Sequence, residues 1–320
     1  MSAKKGTGLG KWAWITIAIV LAVLLIPTAI YIAADREKKT LDEAARQQLG
    51  GSYVTLSNGV THYQLAGPKD GDVVVLVHGA TIPMWIWDPQ VEALTRAGFQ
   101  VLRYDLYGRG YSDRPAASYD RQFYRKQLLE LLDNLDIKKP VDLAGMSLGG
   151  AIATDFTANY PDRVRSLVLF APVVNSVKKD TSIKMLRIPV MGDFLMRLVA
   201  TKSMTKRASA LVEGMSNSEQ RKQSLQEQIT YEGFERAALS MFRGDVMRDC
   251  RDAYRAVGKQ DRKVLLVWGT EDSDISRDMI DEIQKAIPGV QLYVLEGVGH
   301  QLNIESVQKV NEAVIDFLKK

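Results

Sequence analysis

From Trp12 to Ala34 the chain runs 23 residues without a charge, rich in Ile, Val, Leu and Ala. After Gly50-Gly51 its character changes, and short apolar runs alternate with stretches of helical spacing. The runs predict strands at Tyr53–Leu56, Val60–Leu65, Val73–Val77, Gln100–Tyr104, Val141–Ala144, Val164–Phe170, Val264–Trp268 and Gln291–Leu295. Between them the spacing predicts helices at Ile86–Ala97, Tyr119–Leu135, Gly149–Asn159, Arg277–Ala286 and Val307–Leu318. Most of the later strands are nearly continuous apolar runs, the pattern of a parallel sheet covered by helices on both faces. The first two alternate more and flank Ser57-Asn58-Gly59, a turn signal, so they read as an antiparallel hairpin. The expected fold is therefore α/β, a mostly parallel eight-stranded sheet between layers of helix.

One stretch interrupts this rhythm. More than ninety residues separate Phe170 from Val264, with helical periodicity and no strand. An insertion of that length forms a unit of its own. A helical cap, or lid, is expected over residues 173–247, between core segments 51–172 and 248–320. Seven of the eleven methionines fall in it: Met185, Met191, Met196, Met204, Met215, Met241 and Met247. A thioether adapts to irregular apolar shapes, which suits a greasy pocket and equally suits ordinary helix packing.

The uncharged N-terminal segment concerns the membrane. As a helix it is roughly 35 Å long at about 1.5 Å per residue, enough for a hydrocarbon core of about 30 Å. Trp12, Trp14 and Tyr31 stand where interfacial aromatics belong. A cleaved secretory signal would take Lys4, Lys5 and Lys11 as its basic region and Ile32-Ala33-Ala34 as its cleavage site. Signal cores are shorter, about 7–15 residues. The better reading is an uncleaved transmembrane helix over residues 12–34, after a basic segment at 1–11 and before a stalk at 35–50. Lys/Arg residues are nearly balanced, three before the span and four after it, and set no orientation. Anchors of this shape commonly leave the N-terminus in the cytoplasm, so the folded part is expected on the non-cytoplasmic side. The charged stretch Asp35–Gln48 reads as helical and solvated.

Charge and composition narrow the partners. Of 42 Lys/Arg and 38 Asp/Glu, seven and four fall in residues 1–49, which leaves 35 against 34 in the folded part. A nearly neutral domain without a dense basic run is a poor match for a phosphate backbone, so nucleic acid is not expected as a partner. The single cysteine, Cys250, has no partner for a disulfide within the chain, and three histidines without a Cys/His cluster argue against a metal site.

Candidate chemistry sits at three separated positions. Gly145-Met146-Ser147-Leu148-Gly149 is a Gly-x-Ser-x-Gly run between a predicted strand and a predicted helix. A serine forced onto so sharp a turn has strained backbone angles, and glycines two residues either side remove the collisions that side chains would cause. The hydroxyl is then exposed at the carboxyl edge of the sheet, with the helix N-terminus aimed at any oxyanion formed there. A hydroxyl needs a base, and the base an orienting acid. His62 lies in the early hairpin and His78 precedes the serine, whereas His300 follows a predicted strand on the loop Gly297-Val298-Gly299-His300. Asp272, in Trp268-Gly269-Thr270-Glu271-Asp272, supplies an acid between serine and histidine in chain order, with Asp274 two residues away as its rival.

At this point the chain, from about residue 51 to 320, resembles the α/β-hydrolase superfamily. Besides the serine turn, Val77-His78-Gly79-Ala80 is similar to that family's His-Gly segment, Asp105–Ser112 to its Asp-x-x-Gly-x-Gly-x-Ser turn, Tyr160–Val164 to its Tyr-Pro-x-x-Val segment, and His300–Glu305 to its terminal His-x-x-x-x-Glu. Ser276 and Ser306 depart from it, standing where proline is frequent. The resemblance implies a nucleophile at Ser147, a base at His300, an acid at Asp272, and an oxyanion hole from the N–H groups of Ala80 and Leu148. It also implies a structural role for His78 and no requirement for a cofactor. Serine at the turn excludes relatives of this fold that use aspartate there.

A membrane segment followed by a Met-rich insertion is similar to membrane-anchored hydrolases of the monoacylglycerol-lipase type. The expected activity is hydrolysis of carboxylic esters with medium or long acyl chains, with lipid or a small acyl ester as substrate. Trp85 and Trp87, together with Met146, are candidates for an acyl pocket, although the two tryptophans suit burial in the following helix equally well. Two other readings use the same residues: a carbon–carbon bond hydrolase or cofactor-free perhydrolase, and a binding member of the fold that has lost catalysis.

Overall fold

The computed structural model describes residues 10–175 and 181–320, so Lys4 and Lys5 lie outside the described residues. Eight strands form one sheet in the order β1-β2-β4-β3-β5-β6-β7-β8. They are β1 (Ser52–Leu56), β2 (Gly59–Ala66), β3 (Val73–Val77), β4 (Gln100–Tyr104), β5 (Val141–Met146), β6 (Val164–Phe170), β7 (Lys263–Gly269) and β8 (Gln291–Leu295). β1 and β2 make the expected antiparallel hairpin, with Leu56 opposite Gly59, and β2 runs antiparallel to β4. All other neighbours are parallel.

The burial of each strand accounts for its sequence pattern. Every residue of β5 is buried, as are all but the first of β3 and β7, whereas the edge strands β1 and β8 keep one buried residue each. Central strands are covered on both faces and therefore read as nearly continuous apolar runs. After β3 the chain places β4 on one side and β5 on the other. That reversal opens a crevice beyond the carboxyl ends of β3 and β5, where open α/β sheets bind ligands.

Fourteen α-helices accompany the sheet among the described residues. Before it come α1 (Lys11–Ala33) and α2 (Glu43–Leu49), and within its first half α3 (Asp88–Arg96), α4 (Arg121–Asn134) and α5 (Leu148–Asn159). Between β6 and β7 lie α6 (Thr181–Leu186), α7 (Met191–Leu195), a π turn at Met196–Ala200, α8 (Thr201–Leu211), α9 (Ser218–Gln228), α10 (Phe234–Arg243) and α11 (Arg251–Val257). α12 (Arg277–Ala286), α13 (Leu302–Glu305) and α14 (Val307–Lys319) complete the chain.

Three expectations need correction. The helix expected at Ile86–Ala97 is a 3-10 turn, Met84–Trp87, followed by α3. Pro89 sits in the first turn of α3, where a residue without an N–H starts a helix but does not continue one from upstream. The helix expected from Tyr119 starts at Arg121, because the Asp120 carboxylate accepts the Phe123 N–H at 2.8 Å and caps it. The stalk is not one solvated helix. Only α2 is helical there, and Asp35–Lys39 lies extended along the β6–β7 insertion, with Lys39 bridged to Tyr231. Glu37 accepts the N–H groups of Gly233 and Glu235 at 3.1 and 2.6 Å at the N-terminus of α10, and Arg36 donates to the Arg197 carbonyl at 2.6 Å. These partners satisfy the stalk better than an isolated helical turn would, since short helices are marginal in water.

α1 buries none of its residues and is long and apolar enough to cross a membrane, a test that a signal sequence also passes. Its observed bounds are one residue earlier at each end than those expected.

Candidate active site

Ser147 joins β5 to α5 with φ +53° and ψ −117°, a left-handed conformation that costs on the order of 1–3 kcal/mol and persists only where surrounding structure enforces it. The enforcement is visible. Ser147 N–H donates to the Phe170 carbonyl at 2.9 Å, and the Ser147 carbonyl accepts from Gly150 and Val173 N–H, each at 3.0 Å. The flanking glycines are required by close approach: a Cβ on Gly145 would strike the Gly149 carbonyl, and one on Gly149 would strike the Val77 carbonyl. The side chain is thereby aimed into the crevice, where its hydroxyl has no hydrogen-bond partner among the described residues.

His300 lies beyond β8, its Nδ1 2.8 Å from Asp272 Oδ2. The Asp272 side chain is fully buried, and its other oxygen accepts the N–H groups of Asp274 and Ile275 at 2.8 and 2.9 Å. A neutral imidazole that donates from Nδ1 presents Nε2 as an acceptor. Asp274 occupies a different place, 3.8 Å from His300 Nε2 and held by both oxygens on Arg207 Nη2 at 2.8 and 2.7 Å. Its partner is thus a cation of α8, and Asp272 is the carboxylate on Nδ1. The histidine loop is bracketed by Glu305, whose carboxylate accepts Gly299 N–H at 2.7 Å and Gln301 N–H at 3.0 Å. That bracket explains the His-x-x-x-x-Glu spacing.

The His78-Gly79-Ala80 segment passes beside the serine turn. A Cβ placed on Gly79 would lie 3.5 Å from Ser147 Cβ. His78 is completely buried; its Nδ1 contacts the Gly79 carbonyl at 2.7 Å and its Nε2 accepts Leu106 N–H at 2.9 Å. Burial pulls its pKa down to about 4, so the ring is neutral near pH 7 and donates from Nδ1. The Gly79 carbonyl and the Ala80 N–H belong to one planar peptide, so this bond fixes where the Ala80 N–H points. Arg109 holds the next peptide through Nε to the Ala80 carbonyl, with Nη1 on the Gly108 carbonyl at 2.7 Å and Nη2 on Met241 Sδ at 3.4 Å. Its guanidinium is buried over Phe234 at 5.3 Å and has no carboxylate partner among the described residues. Sequence reasoning missed Arg109, although its place inside the Asp-x-x-Gly-x-Gly-x-Ser turn was a signal. The third histidine, His62, is occupied by Asp105, with Nδ1 to Oδ2 at 2.7 Å, far from Ser147 in role: it closes the early hairpin on that turn.

Gly79, Ala80, Met146, Ser147 and His300 line one cavity of about 960 Å³, roofed by side chains of the β6–β7 insertion such as Ile183, Leu186, Leu195 and Leu211. Of the seven methionines singled out, Met185, Met204 and Met247 line it, whereas Met241 packs in the core and Met196 faces elsewhere. Trp85 does not line it. Trp85 lies under Arg221, 5.0 Å from the guanidinium, and Trp87 is fully buried edge-on to Phe170. The 3-10 turn faces both rings away from the cavity. Leu148 is buried, and its N–H, the first of α5, has no acceptor within the helix. A second cavity of about 510 Å³, at the end of α1, has no histidine or cysteine in its lining. Among the described residues no cluster of three or more His, Cys, Asp or Glu is placed to hold a metal ion.

Comparison with known proteins fits this layout. A family model for the alpha/beta hydrolase fold matches residues 72–307. The (E)-2-((N-methylformamido)methylene)succinate hydrolase of Acinetobacter baylyi is 26% identical over 275 residues, 82% of this chain and 95% of that protein. The carboxylesterase YbfK of Bacillus subtilis is 23% identical over 273 residues, 83% of this chain and 86% of its own. Among solved structures, a thermophilic esterase from Thermogutta terrifontis superposes with a TM-score of 0.70 at 23% identity, over 84% of this chain and 98% of that one. The family match takes in both halves of the sheet around the insertion, and this chain belongs to the α/β-hydrolase family.

Proposed function

We propose that this protein is a membrane-anchored serine hydrolase that cleaves carboxylic esters of lipophilic acyl chains. The observation that carries the reading is the Asp272–His300 pair, 2.8 Å apart, whose His300 lines the same cavity as the strained Ser147. Ser147 Oγ attacks the ester carbonyl while His300 Nε2 takes its proton. Asp272, bonded to Nδ1, leaves Nε2 as the acceptor and stabilises the imidazolium that forms. The carbonyl oxygen becomes an oxyanion that accepts from the N–H groups of Ala80 and Leu148, an interaction worth about 2.7–4 kcal/mol per donor in the transition state. His300 returns the proton to the leaving alcohol, which departs and leaves an acyl group on Ser147. Water, deprotonated by His300, then attacks the acyl carbonyl, and the imidazolium gives that proton to Ser147 Oγ as the bond to the acyl group breaks and the acid departs. Every step uses groups of the chain itself, so no cofactor is invoked.

The substrate class follows from the cavity and from α1. A cavity of about 960 Å³ with an apolar roof accommodates a medium or long acyl chain, and an adjacent membrane span supplies lipophilic esters at high local concentration. In this reading the span is retained, the insertion over residues 173–247 acts as the lid, and the catalytic part lies outside the cytoplasm. A protease that digests the C-terminal part in intact spheroplasts supports that side, and full protection contradicts it.

Purified protein assayed on p-nitrophenyl esters of graded length tests the reading. Turnover rising from acetyl to longer chains is expected, and a preference for acetyl over every longer chain overturns the lipophilic part. Hydrolysis confined to carbon–carbon substrates, or dependence on peroxide, would move the same residues to another reaction. Failure of a fluorophosphonate to label the wild type would leave a binding protein.

A further inference from the structure

Outside α1, six large apolar side chains are exposed among the described residues, and five of them fall between positions 185 and 199: Met185, Ile188, Val190, Met191 and Val199. Val190 is 70% exposed at φ +65°, a conformation in which a β-branched residue is an outlier. The turn is nonetheless built. Gly192 N–H donates to the Ile188 carbonyl at 2.8 Å, the Asp193 carboxylate accepts Val190 N–H at 3.2 Å, and Arg243 holds that carboxylate at 2.9 Å. An apolar cluster held outward in this way is unfavourable in water, and a patch of this kind marks a surface that meets something apolar.

Its position says what that is. Phe194, in the helix that follows the turn, packs at a 46° tilt against Tyr31 near the C-terminal end of α1, with ring centroids 4.9 Å apart, and Arg197 lies 4.1 Å over the same ring. Arg36 and Glu37 tie the next residues of the chain to the Arg197 carbonyl and the start of α10. The insertion is therefore fastened to the end of the span with almost no slack. If α1 crosses a bilayer, Tyr31 sits at the interface and the Ile188–Met191 turn is held beside it. Lys184, Lys202 and Lys206 are exposed on the flanking helices without a carboxylate partner among the described residues, which suits anionic headgroups. Met185 and Val199 also line the 960 Å³ cavity, so its rim and the apolar face are continuous.

We propose that the face formed by Met185, Ile188, Val190, Met191 and Val199 inserts into the leaflet that holds the C-terminal end of α1, so that the acyl cavity opens into lipid and not into water. This rests on the anchored reading of α1, and the test separates the two. The full-length chain is reconstituted in phosphatidylcholine–phosphatidylglycerol vesicles with a thiol-reactive fluorophore at Val190→Cys, at Val23→Cys in α1, or at Lys138→Cys on an exposed loop of the core. Cys250 stays unlabelled, since it is buried and its thiol is pushed up to about 12. Lipids with nitroxide-bearing acyl chains are expected to quench positions 23 and 190 and to spare 138, which aqueous iodide quenches. Quenching at 23 without quenching at 190 overturns the docked face and leaves the anchor intact. No quenching at 23 overturns the anchor, and the docked face with it. As a functional readout, Ile188→Ser combined with Met191→Ser, neither of which lines the cavity, is expected to raise KM for a vesicle-borne long-chain ester about tenfold. Turnover of a soluble short-chain ester should not change. An unaltered KM for the vesicle-borne ester contradicts the proposal.

Discussion

At the scale of single residues, the two nearby carboxylates separate by geometry. Asp272 is buried on Nδ1 of His300, and Asp274 is a partly exposed partner of Arg207. Asp272→Asn is expected to lower kcat by about 10⁴-fold, as loss of the orienting acid does in serine hydrolases, and Asp274→Asn by less than about tenfold. Steady-state kinetics of the two variants decides between them. Arg109 makes a different prediction. It bonds carbonyls, not substrate, so Arg109→Met should lower kcat by about an order of magnitude through a misaligned Ala80 N–H, with KM little changed. A change confined to KM would assign Arg109 to binding. His78 gives a stability signature. Its folded pKa, about 4, lies below the ordinary histidine value, so its contribution is complete above about pH 6.5 and is lost as pH falls toward 4. From that shift, urea unfolding at pH 5 should show about 2 kcal/mol less stability than at pH 7 from this group, and His78→Gln should remove that part of the slope.

At the scale of elements, sequence and structure agree where burial is one-sided or complete and diverge where tertiary partners intervene. β3, β5, β6 and β7 were legible because both faces are covered and the apolar runs are nearly continuous, broken only near the start of β5 and β6 by Asp142, Arg165 and Ser166. The order Ser147, Asp272, His300 is expected because each follows a strand, and the structure sets Asp272 on His300 and lines one cavity with His300 and Ser147. The sequence order favours Asp272 and keeps Asp274 as its rival, and what separates them is visible only in three dimensions, where Asp272 meets Nδ1 of His300 and Asp274 pairs with Arg207. The stalk was misread because its Glu and Lys residues favour helix locally. The actual partners of Arg36, Glu37 and Lys38 are Arg197, Gly233 and Thr230, more than 150 positions away. Trp85 was misread because a short turn after β3 leaves both of its faces open to choice, and Pro89 fixes the register. The stalk makes its own prediction. Glu37 caps α10 from a half-buried position, and Glu37→Ala should lower global stability by about 1–2 kcal/mol in thermal or urea unfolding, without altering turnover of a soluble ester.

At the scale of the whole molecule, one sheet reversal, one insertion and one apolar helix converge. The crevice beyond β3 and β5 receives Ser147 and the Ala80 segment, the β7 and β8 loops bring Asp272 and His300 to it, and the insertion roofs it. The stalk then fastens that roof to the end of α1. Covalent trapping asks whether this convergence performs acyl transfer at Ser147. Wild-type protein and Ser147→Ala are mixed with a long-chain p-nitrophenyl ester, quenched within one turnover, digested, and mapped by mass spectrometry. An acyl adduct on the peptide that carries Ser147 in the wild type, absent from Ser147→Ala together with turnover, is the expected result. Undiminished turnover in Ser147→Ala, or an adduct on a different residue, would contradict it.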